Sequence, residues 1–419
     1  MKKFLFLLIP IMGFMVACHD KQIPSVSTNC STCITCKEGD GINSPQCAWR
    51  QNSSSALAKT VIPIFYKDIL VMTKGVTGET EVIQFFNKNT GEKLAEWSDY
   101  EFGGPKLIVS DKGMYINDGI LVVCTGTRLY GIDLTTFKTI WKSRSSNTTA
   151  DGNMYGAYDK TYHASFGATE FVMTVYEGLV KTGKYRPLIT FQVPDTTKLD
   201  LVFTNAFVKG TDTFALICTN NYFYNSNQFK GYFTLLNVSK NTKVYEKEIN
   251  PDIIDKRIGG IMGPAVIKDD IMFYGGLDAI YAFELMTGKL KWRTPLAKHS
   301  TCPIVIGKTN GVDYLFNSTV DGFIRCNNLS DGVELWKTAV PPSIAPLAYH
   351  DEHLYFRGAS SNLKVLDTRT KKIIWDYELS ENKKDKSRFV NTYVIPDPAT
   401  GKIYTTDYID VYCFNPVKK

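Results

Sequence analysis

Short runs of alternating hydrophobic and polar residues recur along most of the chain and are separated by turn residues. The stretch "AIYAFELMTGKLKW", residues 279–292, contains one alternating run, the turn residues Thr287 and Gly288, and a second run that ends at Trp292. Alternation with a period of two predicts β-strands, and a turn containing glycine between two such runs predicts a β-hairpin. The preceding runs "GPAVIKDD" and "IMFYGGLD" predict two further strands, so this period holds four short strands.

The hairpin is repeated with a regular spacing. A polar residue stands at position i, a turn residue near i+4 and a large aromatic residue at i+8. The polar side chain can accept hydrogen bonds from the turn backbone, and glycine tolerates a positive φ there. Copies lie roughly 40 to 60 residues apart, a period typical of propeller arrays. The aromatic residues of the copies are Trp141, Tyr245, Trp292, Trp336 and Trp375, with a weaker copy at Phe203 and one with two extra residues that ends at Trp97.

A four-stranded sheet of this size cannot bury both of its faces alone, whereas sheets stacked radially can. The repeat therefore predicts an all-β propeller with four-stranded antiparallel blades. In this arrangement the aromatic residues lie on the outer strands and pack between neighbouring blades. They are predicted to be structural and not the walls of a ligand cage.

The two chain ends complete one blade together in this prediction. After Trp375, the segments "SRFVNTYVIPD", "GKIYTTD" and "IDVYCFN" predict three strands of a last blade, and a fourth does not follow. The segment "PQCAWR", which contains Trp49, can supply that strand and close the ring. The prediction is eight blades, with seven as the alternative if the weak third period, about Tyr162 to Phe203, is an insertion.

The first residues predict export to a bacterial envelope. Residues 1–17 combine a positive start with an apolar run too short to span a membrane. The ending "MVAC" resembles the lipobox of bacterial lipoproteins, which implies that Cys18 is lipidated. Residues 18–44 are predicted to be a flexible tether and residues 45–419 a single propeller domain. We expect a lipid-anchored protein of the cell envelope and favour the outer membrane. The periplasmic and the surface leaflet stay as alternatives.

The repeats "AIYAFELMTGKLKW" and "FIRCNNLSDGVELW" resemble the tryptophan-docking repeat of quinoprotein-like propellers. That superfamily contains pyrroloquinoline-quinone dehydrogenases and the propeller lipoprotein of the outer-membrane barrel-assembly machinery. The resemblance covers roughly residues 46 to 416 and concerns structural residues, so it implies fold more than function. Family dehydrogenases carry adjacent cysteines above the cofactor and a calcium site. No Cys-Cys pair occurs here, so we expect neither enzymatic activity nor a cofactor.

The cysteines leave alternatives open. Cys30, Cys33 and Cys36 could join Cys47 in a four-thiolate metal site, but exported proteins favour disulfides. Cys47 and Cys413 lie on strands predicted to be neighbours, which makes them a possible disulfide. No metal site is predicted. Four other cysteines lie in apolar strands and are predicted to be core residues, namely Cys124, Cys218, Cys302 and Cys326.

Function is expected at the loops. The composition is typical of a globular protein, with 44% hydrophobic residues and a net charge of +6. The basic residues are scattered, so no nucleic-acid-binding surface is predicted. Long loops are predicted at residues 143–163, 220–232, 246–263 and 376–389, all on one face. Aromatic residues there, Tyr222, Phe223 and Tyr224, could bind a partner. We expect a protein-interaction scaffold for envelope proteins; the alternatives are a carbohydrate- or small-ligand-binding propeller and a degenerate quinoprotein dehydrogenase.

Overall fold

The computed structural model describes most of the predicted propeller. The described residues are 39–52, 63–74, 82–99, 113–124, 128–143, 150–166, 171–194, 197–223, 228–249, 265–276, 278–298, 300, 303–340, 346–358, 362–378, 393–406 and 410–418. No helix among them is long and apolar enough to cross a membrane.

The described chain forms eight antiparallel sheets of four strands each, which confirms the predicted fold and the count of eight. Blade 1 contains β2 (Ile64–Tyr66), β3 (Ile69–Lys74), β4 (Val82–Asn87) and β5 (Lys93–Trp97). Blade 2 contains β6 (Met114–Asn117), β7 (Ile120–Cys124), β8 (Leu129–Asp133) and β9 (Lys138–Lys142). Blade 3 contains β10 (Ala150–Ala157), β11 (Lys160–Phe166), β12 (Val172–Leu179) and β13 (Tyr185–Gln192). Blade 4 contains β14 (Thr197–Lys209), β15 (Asp212–Phe223), β16 (Gln228–Asn237) and β17 (Thr242–Glu248).

The second half of the ring repeats this order. Blade 5 contains β18 (Val266–Lys268), β19 (Ile271–Gly275), β20 (Ala279–Glu284) and β21 (Leu290–Pro295). Blade 6 contains β22 (Val305–Thr309), β23 (Val312–Thr319), β24 (Phe323–Asn328) and β25 (Glu334–Ala339). Blade 7 contains β26 (Ala348–His350), β27 (His353–Arg357), β28 (Leu363–Asp367) and β29 (Lys372–Tyr377). Blade 8 contains β30 (Ile395–Pro396), β31 (Ile403–Thr406), β32 (Asp410–Phe414) and β1 (Cys47–Asn52).

Blade 8 is completed by the N-terminal strand, as predicted. Its strand order is β1-β32-β31-β30, and Trp49 stands opposite Cys413. Residues before β1 occupy the place of the missing turn: the Lys418 amide donates to the Gly41 carbonyl, and the Asn415 amide donates to the Gln46 carbonyl. The tether therefore joins the ring on the face that carries the turns.

In the turn between the third and fourth strands of a blade, a polar side chain accepts hydrogen bonds from the turn backbone, as predicted. Asp133 Oδ1 accepts hydrogen bonds from the amides of Thr135 and Thr136 at 2.7 and 2.8 Å. These bonds lower the pKa of Asp133, the Thr136 amide having the larger effect. Gly288 and Gly332 in the equivalent turns have φ of 62° and 76°. The polar residue and the glycine are thus needed for the turn itself.

Aromatic residues of the outer strands dock on the turn of the next blade. In five cases the ring N–H or O–H donates to a carbonyl there. The pairs are Trp49 to Lys88, Trp141 to Val180, Tyr245 to Leu285, Trp292 to Leu329, and Trp375 to Ile42. Trp97 instead donates to the hydroxyl of Thr139 on blade 2 at 2.8 Å. Trp336 is partly buried and packs in the core cluster with residues of blade 7.

Phe203 is the exception among the predicted anchors. It lies on β14, the first strand of blade 4, opposite Cys218 on β15. Its assignment to the outer strand of blade 3 was wrong. That outer strand is β13, whose sequence "YRPLITFQ" contains no tryptophan.

Candidate functional site

The topology separates two faces of the ring. Turns that join first to second strands and third to fourth strands lie on one face, here named the turn face. Connections between second and third strands, and between blades, lie on the opposite loop face. Most connections of the loop face fall outside the described residues. These connections include residues 250–264 and 379–392, and thus most of the predicted loops 246–263 and 376–389.

Two of the predicted loops are largely β-structure. Residues 143–163 include all of β10 and the start of β11, and residues 220–232 include the end of β15 and the start of β16. Strand β15 has 12 residues, whereas the second strands of the other blades have between four (β31) and eight (β23). The eight residues of β23 correspond to Asp212–Thr219, so residues 220–223 prolong the sheet beyond the ring. We name residues 197–200, 220–223 and 228–232 the blade-4 extension.

The blade-4 extension is a paired sheet that rises on the loop face. Thr197 stands opposite Phe223, and Phe223 stands opposite Gln228. Four extra residues at about 3.3 Å each lift its edge by roughly 13 Å. On the blade-3 side, Leu199 is 1% exposed and packs with Met173 and Val175. The extension is thus supported by blade 3.

The predicted aromatic residues do not form one cluster. Tyr222 and Phe223 are consecutive in β15, so their side chains point to opposite faces of the extension. Both are partly buried. Tyr222 shares a face with Lys198, and Phe223 with Thr197, according to the strand register. Tyr224 lies outside the described residues.

Charged groups flank the base of the blade-4 extension. Lys230 Nζ lies 3.0 Å from Glu248 Oε1, and Tyr232 stands opposite Glu248. Burial, followed by the negative charge of Glu248, raises the pKa of Tyr232 to about 12. Tyr232 is therefore a neutral hydrogen-bonding group at physiological pH.

Blade 3 contains a polar cluster that the sequence analysis did not identify. Glu177 is 5% exposed, and its oxygens lie 2.9 Å from Arg186 Nε and 3.1 Å from Lys160 Nζ. Tyr162 donates to the same carboxylate at 3.4 Å. Burial and the Glu177 charge raise the pKa of Tyr162. These partners compensate the buried charge and make the cluster structural.

His163 directly follows Tyr162 of this cluster, and no hydrogen-bond partner of its Nδ1 atom is found among the described residues. Its ring stacks on Tyr176 at 5.4 Å and meets Tyr185 edge-on. Burial lowers its pKa to about 4. The imidazole is therefore neutral at physiological pH, and the group can accept or donate hydrogen bonds but carries no charge.

The predicted disulfide between Cys47 and Cys413 is wrong. Cys413 is a free thiol in the core, whereas Cys47 is disulfide-bonded. In the strand register, Trp49 stands opposite Cys413 and Cys47 stands opposite Phe414. Cys124, Cys218 and Cys326 are buried in the core, as predicted, and form no disulfide. Cys18, Cys30, Cys33, Cys36 and Cys302 lie outside the described residues. Within the described ranges, no three metal-ligating side chains converge.

Comparison with known proteins supports the predicted resemblance. A family model described as outer membrane protein assembly factor BamB matches residues 238–408. A search of curated protein sequences finds no match.

Solved structures share the fold at low sequence identity. BamB from Moraxella catarrhalis is 13% identical, with a TM-score of 0.58, and the match covers 87% of this chain and 99% of that one. A europium-containing methanol dehydrogenase is 11% identical, with a TM-score of 0.63 and coverage of 88% and 93%. Saccharomyces cerevisiae Sqt1 is 10% identical, with a TM-score of 0.63 and coverage of 90% and 100%. At 10–13% identity, these structures establish the fold alone.

Proposed function

We propose that the chain is a non-enzymatic, lipid-anchored propeller that serves as a protein-interaction scaffold in a bacterial envelope, in the context of outer-membrane assembly. The observation that carries the proposal is the blade-4 extension, a paired sheet with partly buried aromatic residues beyond the ring. The family model of an outer-membrane assembly factor, matched over residues 238–408, supplies the context. A rigid sheet that presents backbone and aromatic side chains at its edge suits a protein partner.

Capture of partners from detergent-solubilised envelope tests the scaffold role. The full mature chain is compared with Tyr222→Ala/Phe223→Ala and with a matched control, Val333→Ala/Leu335→Ala. The control residues are 56% and 47% exposed on the outer rim of blade 6. We expect the extension variant to lose partners that the control retains. Equal partner sets from both variants would remove the extension from the interface.

The anchor and the lack of catalysis need separate tests. Lipidation at Cys18 predicts incorporation of labelled palmitate and membrane fractionation, both lost in Cys18→Ser. A soluble, unlabelled native protein would contradict the anchor. Addition of pyrroloquinoline quinone and calcium should give no dye-linked oxidation; measurable turnover would establish the dehydrogenase alternative. Glycan-array binding without protein capture would favour the carbohydrate alternative.

The tether also orients the scaffold. Because it joins the ring on the turn face, the loop face with the blade-4 extension should point away from the membrane. Protease cleavage of the extension in intact and opened cells measures this orientation. Protection of the extension by the membrane itself would contradict it.

A further inference from the structure

The outer strand of blade 3, β13, contains no tryptophan, whereas six of the other seven outer strands contain one. Trp292 stands opposite Ala282, two residues before the turn residue Glu284. In blade 3, the equivalent turn residue is Leu179. The residue two positions before it is Glu177, which stands opposite Arg186. An arginine thus takes the place of the tryptophan in the strand register.

A cleft remains where the ring would lie. Its volume is about 210 Å³, between β13 and the turn that joins β16 to β17. Half of the lining residues are apolar and half are polar. The apolar ones are Leu188, Ile189, Leu236 and Val238, and the polar ones are Asn237, Asn241, Thr242 and Lys243. A cavity of about 150 Å³ with apolar walls accommodates benzene. The cleft therefore has room for a larger aromatic ring.

The hydrogen-bond acceptor of the docking site is also present. Val238 directly follows the turn residue Asn237, as Leu285 follows Glu284 and Leu329 follows Asn328. The carbonyls of Leu285 and Leu329 accept from Tyr245 and Trp292.

At blade 4, the donor to the Val238 carbonyl is Arg186 Nη2, at the long distance of 3.5 Å. The Arg186 side chain is 50% exposed, and its Nε is held by Glu177. The carbonyl oxygen has a second lone pair that can accept from another donor.

We propose that this cleft binds a tryptophan or tyrosine side chain of a partner polypeptide. The ring packs on Leu188 and Ile189, and its N–H or O–H donates to the Val238 carbonyl. The precedent is the chain itself, which fills the same position at five other junctions with such a ring. One apolar ring matches the wall formed by Leu188 and Ile189, and one donor matches the Val238 carbonyl. The proposal rests on the proposed scaffold function, because a bound partner protein has to supply the ring.

Small-molecule binding tests the cleft independently of any partner. The full mature chain is titrated with 5-fluoroindole and followed by fluorine NMR. We expect saturable binding that weakens by at least about tenfold in Ile189→Phe, which fills the cleft. The control is Leu335→Phe on the exposed rim of blade 6, which should leave the affinity unchanged. A fluorinated indene, which lacks the N–H, should bind about fivefold more weakly because one hydrogen bond is lost.

A second measurement avoids dependence on the folding of a variant. In native protein with labelled isoleucine methyl groups, 5-fluoroindole should shift the Ile189 methyl signal by its ring current. The methyl of Ile403, which is buried in blade 8, should not shift. Absence of saturable binding, or binding without a shift at Ile189, would overturn the cleft proposal. Either result leaves the blade-4 extension and its capture experiment untouched, so the two failures are distinguishable.

Discussion

Replacement of Trp49 by alanine tests whether the N-terminal strand holds the ring closed. The Trp49 side chain is 2% exposed, its ring lies 5.9 Å from that of Tyr404, and its Nε1 donates to the Lys88 carbonyl at 3.0 Å. Truncation of a buried tryptophan costs about 3–5 kcal/mol. The Lys88 oxygen keeps its hydrogen bond from Tyr404, so no buried acceptor is left unpaired. We expect a loss of about 4 kcal/mol in the free energy of unfolding.

A urea titration followed by circular dichroism measures the global effect, and hydrogen exchange of β1 and β32 measures the local one. Trp49→Phe keeps a ring but removes the donor, and it should cost about 1–2 kcal/mol. Leu335→Ala on an exposed rim position should stay within about 0.5 kcal/mol of the native chain. If Trp49→Ala loses less than about 1 kcal/mol, or if exchange in β1 does not increase, the account of ring closure is refuted.

Three further predictions concern single positions. Gly183 and Gly210 have similar φ, 65° and 62°, but an added Cβ would lie 2.3 Å from Trp141 at Gly183 and meet nothing within 4 Å at Gly210. Alanine should therefore destabilise more at Gly183 than at Gly210, where the cost is about 1 kcal/mol; equal melting shifts would contradict this. The pKa of His163 is about 4 in the folded state, against an ordinary value of 6.5. As the pH falls, the unfolded state therefore binds a proton at a higher pH than the folded state does. Stability should fall by about 2 kcal/mol as pH drops from 6.5 to 5, and His163→Phe should lack this dependence in urea titrations. Asp133→Ala removes the acceptor of two amide hydrogen bonds and should cost about 1 kcal/mol, whereas Asp133→Asn should cost less; a neutral effect of Asp133→Ala would show that the turn forms without this side chain.

The fold could be predicted because its repeat depends on residues that lie close together in the sequence. Most turns use an acceptor such as Asp133 and many use a glycine such as Gly332, and most junctions bury a ring, so these residue types recur at regular spacing. Pairing of Trp49 with the C-terminal blade followed from the same count of strands. Such features depend on near neighbours in the chain and are therefore visible in the sequence.

The errors arose where spacing alone was insufficient. "DTTKLDLVF" has the right spacing, but in the structure it belongs to an unusually long first strand, β14, so Phe203 was misassigned. Residues 220–232 were interpreted as a loop because their asparagines are typical of turns, whereas residues 220–223 and 228–231 are paired strands. The disulfide was misassigned because neighbouring strands do not fix the register: Cys47 stands opposite Phe414, one residue away from Cys413. The cleft at blade 3 is signalled only by a missing tryptophan.

The shared last blade also has a consequence for biogenesis. Strand β1 is synthesised first among the strands but gains its partner β32 only when nearly the whole chain has emerged. Until then its hydrogen-bonding edge is open to other chains. A ribosome that stops before Asp410 would release a seven-blade arc with an unsatisfied strand at its front end. Loss of β32 also leaves one edge of β31 unpaired. Quality control in the cell can therefore recognise incomplete copies by the open edges of these two strands.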